Sequence, residues 1–194
     1  WPNASRFPHN ESGERVAEWL DRDLTAATEV ILVTGYASLD EVIRFVARRD
    51  CAGARATRVI FGNEPFASKR RWSGAGVHMP DEVRDYWLQQ GISPLLCGAV
   101  LKVRDAVESG HVQVRIGPDR RPIHAKIYVG DDAATIGSSN FTYRGRGGQS
   151  EANVRFSCAT ERKRYVEASA LAEGMWQLGS DYRAVARAYQ ERSA

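Results

Sequence analysis

The order in which helical and strand-like spacing of apolar residues alternate along this chain limits the fold more than any other feature. From Gly13 to Thr28, Val16, Trp19, Leu20 and Leu24 recur at steps of three and four, which predicts an amphipathic helix. Glu29–Ala37 (EVILVTGYA) is a β-branched run that reads as a buried strand. A second helix follows, with Ser38 as its cap, Glu41 as the capping-box partner and Val42, Phe45 and Val46 on its buried face. Arg58–Phe61 is the next strand. Helical spacing returns after Pro80-Asp81, with Val83, Trp87 and Leu88 in phase, and continues through Leu95–Ser109. Beyond this the period is that of strands: Val112–Ile116, Ile123–Val129, Ala133–Ser138 and Asn153–Cys158, with a hairpin turn at Gly130-Asp131-Asp132. Thr160–Gln190 is helical again, broken near Gly179-Ser180. Helices alternating with strands, followed by strand upon strand, require a mixed β-sheet flanked by helices, an α/β fold of the α+β sandwich kind.

With 194 residues, the chain is expected to form a single domain spanning 1–194. Hydrophobic residues at 43% and charged residues at 26% exclude a disordered or fibrous chain. Runs such as Val30–Val33 fall far short of the ~18 to 20 apolar residues a membrane helix needs, so no membrane partner is expected. Cys51, Cys97 and Cys158 are odd in number and lack metal-ligand spacing, which suits reduced core thiols and a cytoplasmic location. Three Asn-x-Ser/Thr sequons occur, at Asn3, Asn10 and Asn140; the last falls in the polar segment Gly137–Asn140, part of a candidate site, and this argues against a eukaryotic secretory route. The chain begins at Trp1 without a methionine or signal peptide, so we expect a piece of a longer protein.

Net charge is only +3, but its location is informative. Between Arg115 and Arg155 seven basic residues face four acidic ones, a surplus equal to that of the whole chain. Gathered on one face, this stretch would attract an anion. A second basic run, Lys69-Arg70-Arg71-Trp72, lies in the long loop expected from Gly62 to Pro80, either as a solvated face or as a grip for phosphate and base.

The chemistry is concentrated in Ile123-His124-Ala125-Lys126-Ile127-Tyr128-Val129-Gly130-Asp131, in Gly137-Ser138-Ser139-Asn140, and in Glu151. On a strand, His124 and Lys126 share one face while Ala125 and Ile127 point into the core. An imidazole and an ammonium side by side, next to a small Gly-Ser-Ser turn, invite an oxyanion, and phosphate is the natural guest. Histidine can attack phosphorus or donate a proton, Lys126 neutralises non-bridging oxygens, and Ser138, Ser139 and Asn140 add neutral donors. Glu151 either orients the imidazole or pairs with Arg155, four residues on and on the same side of the strand. Arg144 and Arg146, in Tyr143-Arg-Gly-Arg-Gly-Gly148, either clamp a backbone phosphate or remain solvated.

His124-x-Lys126-x4-Asp131 followed by Gly137-Ser138-x-Asn140 resembles the HKD signature of the phospholipase D superfamily. Asn140-Phe141-Thr142 and Ser150–Val154 are similar to its single-motif bacterial nucleases and to the PLD-like domains of helicases and restriction systems. One departure stands out: five residues, Asp132–Ile136, separate Asp131 from Gly137, where the family usually has six. The resemblance implies a PLD-like fold and hydrolysis through a phosphohistidine, without a metal or other cofactor. Its catalytic residues would be His124, Lys126, Asn140 and Glu151. Substrate contacts would come from Ser138, Ser139, Arg144 and Arg146, and from Lys69, Arg70 and Arg71. Asp131 would be structural. The mechanism needs two such motifs and this chain has one, so the resemblance implies a homodimer with one composite site. The expected partners are DNA, with RNA as the other candidate, and linked helicase or restriction components. The competing readings are a catalytically idle PLD-like module that holds nucleic acid for a linked motor, and a small-diester or phospholipid hydrolase.

Overall fold

The computed structural model describes residues 7–11, 13–51, 56–62, 101, 103–118 and 121–182. Its elements are α1 (Val16–Leu24), β1 (Glu29–Thr34), α2 (Leu39–Cys51), β2 (Ala56–Phe61), β3 (Val112–Ile116), β4 (Ile127–Val129), β5 (Ala133–Gly137), a π-helical turn (Arg144–Gly148), β6 (Asn153–Ser157), α3 (Arg162–Leu178) and β7 (Ser180–Asp181). A helical segment also covers 103–108. The strands form one seven-stranded sheet in the order β6-β5-β4-β1-β2-β3-β7. β1, β2 and β3 are parallel, as the alternating first part of the sequence requires, and the remaining pairings are antiparallel. The mixed sheet with helices on both faces is the expected architecture.

Each face of the sheet has its own core. Val30 and Leu32 of β1, with Val59, Phe61 and Tyr128, pack against Val16, Leu20 and Leu24 of α1 and against Val42, Phe45 and Val46 of α2. On the other face Ile31, Val33, Ile60, Ile127 and Val129 meet Ala168, Ala172 and Trp176 of α3. β1 is therefore buried on both sides, which is why its sequence is a continuous apolar run rather than an alternation. Between α1 and β2 the guanidinium of Arg49 is fully buried, donating to Thr57 Oγ1 at 2.8 Å and to the carbonyls of Ala27 at 2.9 Å and Ala56 at 2.7 Å. Burial lowers its pKa to about 10, against the opposing pull of Asp131.

Several local expectations are corrected. α1 spans Val16–Leu24 rather than Gly13–Thr28, because the side chain of Asn10 accepts from Val16 N–H and fixes the start of the helix. At the start of α2, Glu41 binds Arg146 instead of closing a capping box, and Ser38 Oγ is left without a partner. Only Ile127–Val129 of the expected strand Ile123–Val129 is paired with β1 and β5. Cys158 is half-buried in the turn after β6, not in the core. The Cys51 side chain, Cys97, Asn3, residues 63–80 of the expected loop and residues 81–100 of the helical stretch after it lie outside the described residues. Among the described residues no helix is long and apolar enough to cross a membrane.

Asp131 sits in the turn between β4 and β5 and joins that hairpin to the start of β1. Its oxygens accept from Thr28 N–H at 2.6 Å and Glu29 N–H at 3.3 Å. Burial raises its pKa, but the donors of Thr28 and Glu29 and the charge of Arg49 outweigh that, so the net shift is downward. Its stabilising contribution is thus present above the ordinary carboxylate range and is lost on acidification. Asp131→Ala is expected to cost about 1 kcal/mol of stability, since this carboxylate is exposed, while activity per folded molecule is retained. Urea unfolding beside a turnover assay checks both halves of that expectation.

Candidate active site

The register of the sheet brings the motif residues to one place. β4 runs antiparallel to β1 with Ile127 opposite Val33, so the residues leading into β4, His124 and Lys126 among them, arrive at the carboxyl end of β1. β5 returns antiparallel, and Gly137 N–H donates to Lys126 C=O, so Ser138–Asn140 emerge at the same end. β6 starts with Asn153 opposite Gly137, which places Glu151 there too. Crevices beyond the carboxyl ends of parallel strands are the usual ligand sites of such sheets.

His124 is exposed, whereas Lys126 is only 5% exposed. The Lys126 amine lies 2.9 Å from Nδ1 and 3.1 Å from Nε2 of His124 and donates to the His124 carbonyl at 2.6 Å. Burial pulls the Lys126 ammonium below the ordinary lysine value, and the charge of Glu151 partly restores it. Asn140 joins this pair across Gly35: a methyl group added at Gly35 would lie 3.1 Å from His124 Cδ2 and 3.5 Å from Asn140 Oδ1. Glycine at this position leaves room for the imidazole to lie close over the end of β1, with the Asn140 amide oxygen nearby. Asn140 Oδ1 accepts from Tyr36 N–H at 3.1 Å, which fixes the amide by its oxygen and leaves its NH2 group to donate elsewhere. The next residue, Phe141, is fully buried against Phe45 and Tyr128, and its N–H donates to Thr34 Oγ1 at 3.2 Å, so the position of Asn140 is set by the core.

Glu151 is buried, with one oxygen accepting from Ser138 Oγ and the other from Gln149 Nε2. Among the described residues it makes no hydrogen bond to His124, and Arg155 pairs with Asp23 at 2.6 Å rather than with Glu151. Ser138 is exposed beside the site. Ser139 points the other way: it is fully buried, its Oγ accepts from Asn153 Nδ2 at 2.9 Å, and its carbonyl accepts from the Tyr128 hydroxyl at 2.6 Å. This corrects the expectation of a substrate contact from Ser139. Gly137 is required by the same packing, since a methyl group there would overlap Asn153 Oδ1 and lie 2.6 Å from Ala152 C=O.

The two arginines of the π-helical turn also separate. Arg144 is exposed, but Arg146 is only 4% exposed, ion-paired to Asp21 and Glu41 and placed 4.9 Å over the Phe141 ring. Arg146 is therefore an anchor of the turn and not a phosphate clamp. Arg155 is neutralised by Asp23, and Arg115 lies 4.3 Å over Trp176 while donating to its carbonyl at 2.8 Å. The basic surplus of 115–155 is thus not gathered on one face: three of its arginines are held by acidic or aromatic partners inside the molecule. Lys69, Arg70 and Arg71 lie outside the described residues. Sequence reasoning missed Gly35, Tyr36 and Gln149, whose roles depend on the register of β1 against β4 and on the turn before β6; no local signal marks them. Among the described residues no three His, Cys, Asp or Glu side chains converge as a metal-binding group.

No family model and no curated protein matches this sequence. Solved structures do match in fold. The phospholipase D family member Nuc from Salmonella typhimurium is 14% identical, with a TM-score of 0.58 over 91% of this chain and 95% of that one. NucT from Helicobacter pylori is 10% identical, with a TM-score of 0.52 over 86% and 91%. A phosphatidylserine synthase from Haemophilus influenzae is 16% identical, with a TM-score of 0.57 over 90% of this chain but only 38% of that one. The fold is phospholipase D-like.

Proposed function

We propose that the protein is a metal-independent phosphodiesterase that cuts DNA through a phosphohistidine on His124, in a site completed by a second copy of the chain. The observation that carries this reading is the exposed His124 in contact with the Lys126 amine, with Asn140 across Gly35, at the strand ends of a phospholipase D-like sheet. A ring nitrogen of His124 attacks phosphorus, forming a P–N bond as the P–O bond to the leaving group breaks. The leaving oxygen takes its proton from His124 of the partner subunit. That imidazole, now neutral, accepts a proton from water; the oxygen attacks phosphorus, the P–N bond breaks, and both histidines return to their starting states. Lys126 must leave the ring nitrogens as phosphate enters and turn to the non-bridging oxygens, where its attraction grows as charge builds. The single motif, with no second His-x-Lys in the chain, supports the homodimer. The resemblance of Asn140–Thr142 and Ser150–Val154 to nucleases of restriction, anti-phage and helicase-linked systems supports that context, which the full reading frame would test.

A second reading is favoured by one observation: Glu151 is bound to Ser138 and Gln149, so among the described residues of one chain the imidazole has no carboxylate partner. This would suit an idle module that holds nucleic acid for a linked motor. Turnover of plasmid DNA and of bis(p-nitrophenyl) phosphate in EDTA separates the two. Our reading expects activity to persist; no turnover under any condition supports the idle module, and turnover that requires Mg²⁺ contradicts the proposed chemistry.

The lowered pKa of Lys126 has a kinetic consequence. The working form is the ammonium, so kcat/KM should fall as pH rises through a value below the usual ~10.4 of lysine. In Lys126→Arg that alkaline limb should be absent from whatever activity remains, because a guanidinium keeps its charge. A limb that persists in Lys126→Arg assigns it to another group.

A further inference from the structure

Three aromatic side chains are exposed among the described residues, and two of them, Tyr36 and Tyr143, flank Asn140. Tyr36 follows Gly35, and its backbone is held on both sides: its N–H by Asn140 Oδ1, its carbonyl by Phe141 N–H at 3.2 Å and by the Thr34 hydroxyl. Tyr143 begins the π-helical turn, a rare conformation that recurs at functional sites. The turn packs closely on Asn140, where a methyl group on Gly145 would overlap the Asn140 carbonyl, and Asn10 donates to the carbonyls of Gly145 at 3.2 Å and Gln149 at 2.9 Å. Arg146 anchors it from inside. Tyr143 is nonetheless 72% exposed; a methyl group added at Gly148 would lie 3.6 Å from its ring edge and 3.7 Å from the stem of Arg144. Neither phenol hydroxyl has a partner among the described residues. Backbone segments bonded to or packed against Asn140 thus carry two unburied rings and an exposed cation, Arg144, that has no ion-pair partner among the described residues.

We propose that Tyr36 and Tyr143 are stacking platforms for unpaired bases on either side of the scissile phosphate, with Arg144 on the adjoining phosphate, so that the site takes a single strand in preference to a duplex. This rests on the phosphodiesterase reading above and adds to it the class of polynucleotide. Stacking needs a base with a free face, which a duplex does not offer at an internal position, and it tolerates any sequence because every base has a π-face. Ring and cation together are how unpaired strands are commonly held.

The test is a cycle between ring and base, read by fluorescence anisotropy at fixed salt in His124→Ala protein, so that nothing is cut during the measurement. The probes are a short labelled oligonucleotide, the same strand with abasic residues throughout, and its duplex, each as DNA and as RNA. Tyr36→Ala and Tyr143→Ala should each weaken binding of the intact single strand roughly 5- to 150-fold, whereas the phenylalanine variants should not. On the abasic strand the alanine variants should bind as the tyrosine protein does, because the ring has no base to meet. The duplex should bind more weakly than the single strand and be insensitive to both tyrosines. Equal loss on intact and abasic strands, or a duplex bound as tightly as the single strand, overturns the stacking proposal and leaves the phosphodiesterase reading standing. Failure to bind any oligonucleotide overturns both. If DNA and RNA strands show the same cycle, the platforms are indifferent to the sugar; a cycle in only one names the polymer.

Discussion

His124→Ala should lower turnover of a phosphodiester by roughly 10³- to 10⁶-fold while leaving affinity for DNA within a few-fold of the native value. The asymmetry follows from what each group contacts before and during reaction. The imidazole is exposed, lies outside both cores and makes its side-chain contact with Lys126, so its removal disturbs neither the sheet nor the charge that meets phosphate in the ground state. It is asked to form a bond to phosphorus, and no other described side chain near the strand ends offers a nucleophile of that strength. Lys126→Ala should weaken both binding and turnover, because the ammonium attracts phosphate in the ground state and more strongly as charge accumulates on the non-bridging oxygens. Glu151→Gln should cost less than His124→Ala, since Glu151 acts through Lys126 and through the Ser138 turn rather than on phosphorus. Kinetics on plasmid DNA beside equilibrium binding resolve the order. His124→Ala protein with native turnover would remove the assignment altogether.

A mixed dimer of wild-type and His124→Ala chains should be nearly inactive. One centre built from two chains needs one His124 as nucleophile and the other as proton donor, so the mixed dimer has one role empty whichever chain supplies the remaining histidine. Two independent sites would instead retain about half of the wild-type activity, by simple counting of intact chains. Differently tagged chains, co-expressed and purified through both tags, give the mixed species directly. The same preparation should sediment as a dimer; a monomer that turns over substrate would contradict the shared centre.

The strands and both cores were legible because burial on two faces writes itself into β1 as Val30–Val33, and burial on alternate sides of β4 writes itself as Ile127 and Val129 against Tyr128. The motif around His124 was legible because its polar residues interrupt that alternation at one face. The directions of side chains in irregular backbone were not. Ser139 and Arg146 have the same residue types as their exposed neighbours Ser138 and Arg144, and only Asn153, Asp21 and Glu41, which are distant in sequence, decide which of each pair turns inward. The charge surplus misled for the same reason, since Arg115, Arg146 and Arg155 find aromatic or acidic partners from α1, α2 and α3 that no local pattern announces. The strand expected over Glu29–Ala37 stops at Thr34, and Gly35 and Tyr36 lie just beyond it; their contact with His124 and Asn140 exists only once β4 is placed beside β1.

The central claim, one covalent centre shared by two His124 residues, is tested most directly by counting adducts. Enzyme mixed with excess labelled oligonucleotide and stopped in alkali within the first turnover should carry a nucleotidyl group on His124, located by peptide mass spectrometry. Because only one of the two histidines can be nucleophile at a time, the label should saturate at one group for every two chains. Saturation at one group per chain, or rapid turnover with no protein-bound label at any time, would contradict it.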